Sequence, residues 1–516
     1  MKTVIALIAA LSFHTSAAAA GGLFIPGAGP QAQGRAGAFV AKADDPTALF
    51  HNPAGFAKLS GWVVQLGANF VNYDLTFSRT GVYEQPLGKT VSYAGQPFPT
   101  VSDKSKPKLG IGRYQLIPTI AASGGIGIPG VRLGFGIYAP QGYPMRDFTN
   151  GYDRSDPNAP PPPQRYDTMR QEAEIVMPSV AVAYRVNDAL DIGARLTVGF
   201  GELRAQSYVW GLINYEEWIE RDATMALEAR DNFIPSAGLG VLYRVGSSLE
   251  LGASWSSAIK FAGKGSLAKP TLGSDLAFGD LKETLEPETE YWRCAPNGTP
   301  DAIKACIYMT LPQTASIGGR WIFRGSRGEE RGDIELDVRW EDWSAGSDIR
   351  AVVDAKSGII GLPFNESVIR HGLRDVISVR LGGSYTTQLA GRAIGLRAGV
   401  AYDTAAAPLS WQRVDLDGAA RTTFGAGFSY RVGAARVDLG AGYVYQPTRV
   451  VPSCNPDGMN EGCPAGSGWV RTQDRNQPDP AQPLAGPNNG TQNPINGGTY
   501  KSHYALFTLG ITLFIE

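Results

Sequence analysis

The chain reads as an all-β protein, a 14-stranded antiparallel transmembrane β-barrel with an N-terminal plug, or hatch, inside its lumen. Three observations predict this. Apolar and polar residues alternate with a period of two over most of the length, as in strands with one face in lipid and the other in a polar lumen. Short connections alternate with long ones, the pattern of a barrel with tight turns on one side of a membrane and long loops on the other. No stretch of the mature chain approaches the ~20 apolar residues of a membrane helix, so membrane residence demands a closed barrel whose backbone groups all pair.

Residues 1–20 are expected to be a signal peptide. Lys2 supplies the basic start, Val4 to Phe13 the apolar centre, and Ala18-Ala19-Ala20 the cleavage site before Gly21. Residues 21–61 form the plug. Glycines 27, 29, 34 and 37 and prolines 26, 30, 46 and 53 break any long element there. One short helix fits, with Asp44 or Asp45 as N-cap, Pro46 at its first position and an end near Leu49 or Phe50. An Asn-Pro turn follows at His51-Asn52-Pro53-Ala54-Gly55.

Residues 62–516 make the barrel. Between 249 and 261, Leu249, Leu251, Ala253, Trp255, Ile259 and Phe261 alternate with Glu250, Gly252, Ser254, Ser256 and Lys260, and 393–403 and 435–446 repeat the pattern. Turn signals divide the chain into strands at 62–77, 114–126, 131–140, 174–186, 190–204, 232–244, 249–262, 309–323, 333–347, 373–388, 393–403, 421–431, 435–447 and 502–515. The count is even, so both ends lie on the periplasmic side. A soluble sandwich also alternates; the pairing of short turns with long loops favours the membrane.

Gly34-Arg35-Ala36, Ala43-Asp44-Asp45 and Asn52-Pro53-Ala54, in that order behind an export signal, resemble the hatch of the FadL/TodX family of outer-membrane transporters for hydrophobic compounds. Gly134-Phe135-Gly136-Ile137-Tyr138-Ala139-Pro140 resembles that family's third strand, and Pro178-Ser179 with Ala183-Tyr184-Arg185 its fourth. Leu311-Pro312, Glu341-Asp342-Trp343 and Leu396-Arg397-Ala398-Gly399 with Tyr402-Asp403 resemble later strands, so the likeness spans nearly the whole mature chain. It implies a passive uptake channel in the bacterial outer membrane, most simply for long-chain fatty acids, with neutral aromatic hydrocarbons as the alternative. Ligand would be captured at the outer loops, the hatch at Asn52, Pro53 and Ala54 would rearrange, and release would be lateral, through the wall at a kinked third strand. Gly134 and Gly136 suit such a kink because glycine in a strand often marks a bend, and Pro140 lacks an amide donor. The likeness also places Leu23 and Phe24 beside the ligand pocket. Lipopolysaccharide and the barrel assembly machinery are expected partners, assembly resting on Phe514 because the chain ends Phe514-Ile515-Glu516.

A net charge of -1 leaves no basic footprint for nucleic acid, and 43% hydrophobic with 10% aromatic content argues for an ordered chain despite 64 glycines and 35 prolines. Cys294 with Cys306 and Cys454 with Cys463 are expected to form two local disulfides in outer loops, and neither pair has zinc-site spacing. No cofactor or metal is expected. The mature chain carries only His51, His371 and His503 and has no nucleophile-elbow motif, which speaks against an enzyme. Charges on the inward face are expected to hold the plug to the wall, because lipid-facing Arg or Lys costs about 2 to 4 kcal/mol at the midplane. One or two of Arg185, Arg195, Lys260, Arg320 and Arg397 are candidates for receiving a carboxylate, which arginine binds in bidentate fashion. A general polar porin is the rival of a different class, and it should lack the plug.

Overall fold

The computed structural model describes residue 24 and residues 27–83, 85–86, 88–140, 144–209, 219–220, 222–268, 281–283, 302–357, 363–451 and 497–515. The expected signal peptide, Leu23, Cys294, Cys454 and Cys463 lie outside them.

Fourteen strands form the wall: β1 (Trp62–Arg79), β2 (Tyr114–Gly125), β3 (Val131–Tyr138), β4 (Arg170–Arg185), β5 (Leu190–Val209) and β6 (Ala223–Val245). Then come β7 in two pieces (Leu249–Ser256, Ile259–Ala268), β8 in two pieces (Ala302–Leu311, Thr314–Arg324), β9 (Glu330–Glu341) and β10 (Val376–Leu389). The last four are β11 (Arg392–Asp403), β12 (Arg421–Val432), β13 (Ala435–Tyr445) and β14 (Gly498–Ile515). Each pairs antiparallel with the next, and β14 closes on β1 with Trp62 opposite Ile515 and Arg79 opposite Gly498. Closure leaves no long edge to be satisfied in lipid, which has no water to offer. Among the described residues no helix is long and apolar enough to cross a membrane.

Three differences from the expected boundaries matter. β9 ends at Glu341 rather than 347, because Trp343 turns into the lumen and donates from Nε1 to Glu341 at 2.8 Å. The stretch between the expected strands 333–347 and 373–388 contains a hairpin, Asp348–Ser357 with Pro363–Arg370, which extends the sheet from the outer half of β8. The plug has two short helices, Pro30–Gly34 and Ala48–His51, the second with Thr47 as N-cap. Asp45 caps no helix; its carboxylate accepts the Thr47 amide at 2.8 Å and the Gln31 side chain at 2.7 Å.

Inward and outward residues exchange parity part-way up three neighbouring strands. On β6, Asn232 and Phe233 oppose the single Phe200 of β5, a bulge. β7 is interrupted at Ser257-Ala258 and β8 at Pro312-Gln313. Because the side-chain period is two, each irregularity moves the following residues to the other face. Below it the lumen receives Ser236, Gly240, Glu250, Gly252, Ser316 and Arg320. Above it Met225, Leu227, Ile259, Phe261, Ile307, Met309 and Leu311 turn inward and join one buried apolar cluster. Lys260, expected to face inward, is therefore exposed on the outer surface, as is Lys264.

Candidate functional site

The lower lumen is filled by the chain's own N-terminal segment, and an acidic rail on β9 holds it. Asp333, Glu335 and Asp337 point inward at alternate positions. Arg35 bonds Asp333 at 2.5 Å and Glu335 at 2.8 Å, all three buried. Asp337 accepts the amides of Phe39 and Val40 at 2.8 and 3.1 Å, and Glu335 accepts that of Ala41 at 2.7 Å. Lys42 reaches Asp333 at 3.0 Å, and Lys58 reaches Glu250 on β7 at 2.7 Å. These charges replace the hydrogen bonds that an irregular backbone would otherwise take from water.

Asn52 pins the second half of this segment. Its Nδ2 donates to the carbonyls of Val40 at 2.9 Å and of Val241 on β6 at 3.1 Å, while Oδ1 accepts the Ala54 amide at 3.2 Å. Pro53 opens the short 3-10 helix Pro53–Lys58, where its missing donor costs nothing. The contact requires glycine in the wall: a Cβ at Gly240 would collide with Asn52 Oδ1, and one at Gly193 with Ala54 N.

Gly134 and Gly136 serve the same purpose. The β3 ladder runs through both to β2 and β4 without a register shift, so neither marks a bulge. A Cβ at Gly134 would strike the Phe56 ring, and one at Gly136 would strike Leu49 and the Ile120 carbonyl. The discontinuity comes after them. β3 ends at Tyr138, and Ala139 and Pro140 leave the ladder. Among the described residues, Ile117 to Thr119 of β2 and Glu172 to Val176 of β4 have no strand partner on the β3 side. The β-ladder is interrupted there.

A cavity of about 110 Å³ lies between the plug, the parity switch and this interruption. Phe24, Phe50, Tyr138, Pro140, Ile259 and Pro312 form its apolar lining. Its polar groups are His51, Arg195, Arg339 and the hydroxyls of Ser236, Ser256, Ser257 and Thr314. Phe50 packs on Tyr138 with centroids 4.4 Å apart, and Phe24 lies 5.4 Å from Trp343 with the Arg339 guanidinium 5.6 Å from its ring centroid. Arg421 donates to the Phe24 carbonyl and bonds Asp403 at 2.5 Å, which ties the N-terminal arm to the wall. The apolar cluster above the switch closes over the cavity and includes contact with Phe24.

Three of the five candidates for a carboxylate have other engagements. Arg185 bonds Asp191 at 3.0 Å and the Ala57 carbonyl at 2.6 Å, Arg320 bonds Glu250 at 2.8 Å and Asp333 at 3.1 Å, and Arg397 bonds Asp438 at 3.1 Å. Lys260 is outside the lumen altogether. Arg195 is 3% exposed and lines the cavity, donating to the Leu49 carbonyl at 2.9 Å and to Ser256 Oγ at 3.1 Å. No carboxylate pairs with it among the described residues, and its Nε has no partner. Sequence reasoning missed Asp333, Glu335 and Asn52's hold on β6; the alternating acids of Asp333-Ile334-Glu335-Leu336-Asp337 were the available signal. Cys306 is buried and disulfide-bonded, and the two expected pairings fall outside the described residues. His371 presents its ring nitrogens to the Ser347 carbonyl at 2.9 Å and Asp415 at 2.8 Å, so it activates no serine there.

A family model described as outer membrane protein transport protein (OMPP1/FadL/TodX) matches residues 11–465. The chain belongs to the FadL/TodX family. It is accordingly an outer-membrane channel for uptake of hydrophobic compounds, in a family of transport proteins. A Pseudomonas aeruginosa FadL homologue is similar in structure, with a TM-score of 0.67 at 17% identity over 96% of this chain and 100% of that one. The Pseudomonas putida toluene transporter TodX gives 0.57 at 13% identity, over 95% and 98% of the two chains. The Ralstonia pickettii toluene transporter TbuX gives 0.56 at 13% identity, over 95% and 99%. At these identities the likenesses to solved FadL/TodX barrels speak to the fold alone. No curated protein sequence matches the chain.

Proposed function

We propose that this FadL/TodX channel takes up long-chain fatty acids, with Arg195 receiving the carboxylate and the apolar cluster above the parity switch receiving the acyl chain. The observation that carries this reading is a buried guanidinium lining the cavity with no carboxylate beside it among the described residues, whereas the neighbouring Arg339 is paired with Glu341 at 2.9 Å. A buried charge left unpaired is costly, and an incoming carboxylate would satisfy it with charge-assisted hydrogen bonds. The methionines of the cluster, Met177, Met225 and Met309, can repack around a chain of variable length.

An acyl chain with about 15 buried methylenes would gain roughly 12 kcal/mol from desolvation, so release requires the pocket to change shape. The plug supplies a movable wall, since Phe50 and His51 line the cavity. Movement of the Asn52–Ala54 turn would shift both. The ladder interruption beyond Tyr138 adjoins the same cavity, and a sideways exit into lipid would pass through it.

Uptake of neutral aromatic hydrocarbons is the second reading, favoured by the rings of Phe24, Phe50 and Tyr138 around the cavity. The test is uptake of labelled oleate by cells lacking their own fatty-acid transporter, with and without this protein, the barrel being shown folded by heat-modifiable gel mobility. A rise in oleate uptake is expected. No rise with oleate but a rise with toluene would replace the fatty-acid reading by the aromatic one.

A further inference from the structure

Above the parity switch the outer surface of β7 carries two lysines that the fold does not employ. Lys260 and Lys264 are exposed there, and neither has a carboxylate partner among the described residues. Arg230 stands directly opposite Lys264 in the ladder. Its guanidinium is shared with Glu202 at 3.3 Å and Glu228 at 3.4 Å, which leaves the two lysines uncompensated. Like charges directly opposite one another weaken a sheet. A polar, uncharged side chain would serve an outer strand equally well.

The row also has a defined height. Immediately below it β6 and β7 present Phe233, Leu239, Val241 and Trp255 outward, with Phe233 66% exposed. These belong to the lipid-facing band, so the basic row lies where that band stops, at the depth of lipid headgroups. An anion meeting Lys260 and Lys264 there is joined to an acyl chain that can lie along Phe233 and Leu239. Phosphate suits two ammonium groups, which bind it as point charges without a demand for planar geometry.

We propose that Lys260 and Lys264 form a docking surface for a phosphorylated glycolipid of the outer leaflet. The site is on the outside of the wall and does not depend on which compound the channel carries. The full chain in detergent is titrated with a bisphosphorylated glycolipid of the lipid A type, with its dephosphorylated form, and with inorganic phosphate, and retention is read by native mass spectrometry. The bisphosphorylated lipid should bind at least tenfold more tightly than the dephosphorylated one. Lys260→Gln with Lys264→Gln should remove that difference, whereas Lys104→Gln with Lys106→Gln, exposed in the β1–β2 loop, should leave it intact. Each lysine changed singly should give part of the loss, which keeps the test decisive if the double variant assembles poorly. Equal retention of the two lipids, an unaltered difference in the Lys260 and Lys264 variants, or an equal loss in the loop variant would overturn the proposal. So would inorganic phosphate binding as tightly as the glycolipid.

Discussion

Arg195 is a charge that the wall buries without neutralising, and a residue of that kind is where ligand selectivity is expected to reside. Replacing it by glutamine keeps a donor for the Leu49 carbonyl and removes the charge. A hydrogen bond to a charged group contributes about 1.5 to 3 kcal/mol, so apparent affinity for oleate should fall roughly tenfold or more. Toluene uptake should not change. Concentration dependence of uptake for both compounds checks this; an equal loss for both would mean that Arg195 packs the cavity and does not select. The residue was legible in the sequence only as one of five. Separating it from Arg185, Arg320 and Arg397 required knowing which carboxylates lie across the lumen, and alternation carries no such information. Lys260 was misplaced for a plainer reason, the interruption at Ser257-Ala258 that reverses the faces beyond it.

At the scale of elements, β9 and the plug are coupled through Arg35. Changing Arg35 to Met leaves Glu335 with less compensation in a buried site, and breaking such a pair costs about 3 to 5 kcal/mol. The barrel should still show heat-modifiable mobility while the plug loosens, read as raised ion conductance in planar bilayers. Unchanged conductance would mean that the amide contacts to Asp337 and Glu335 suffice. The outer loops are coupled differently. Asp167 meets Arg413 at 2.5 Å, and Arg413 meets Asp415 at 3.1 Å, joining the loop before β4 to the loop before β12. Burial pushes the Asp167 carboxyl up to about 7 against the pull of Arg413, with Asp415 adding to the rise. A group raised in the folded state contributes stability that is present at low pH and lost as pH climbs through the folded value. Loop docking should therefore tighten between pH 8 and pH 5, seen as slower limited proteolysis of residues 144–169, and Asp167→Asn should flatten the profile. Strand number was readable from turn chemistry, since glycine and asparagine mark the tight turns. The hairpin at Asp348–Ser357 was not, because a loop that extends a neighbour's sheet carries the same β-branched residues as the wall it joins.

For the whole molecule, barrel and plug divide the work of stability and transport. The wall closes through backbone pairing that owes nothing to residues 30–58, while passage depends on moving them. Deleting Asn52 to Ala54 should abolish uptake of hydrophobic compounds while the barrel assembles and reaches the outer membrane. Undiminished uptake by a folded deletion variant would remove the plug from the mechanism.

The parity switch gives this wall a vulnerability unlike that of a uniform barrel. Each affected strand behaves as a text with a reading frame, in which the extra residue resets what every later position means. Loss of one residue from Ser257-Ala258 would swing Ile259 and Phe261 out into solvent and lipid headgroups and carry Lys260 into the greasy vestibule. Substitutions at the same two positions would leave that assignment intact. Variation in length should thus be tolerated in the outer loops and at the periplasmic turns, and purged at three points in mid-strand.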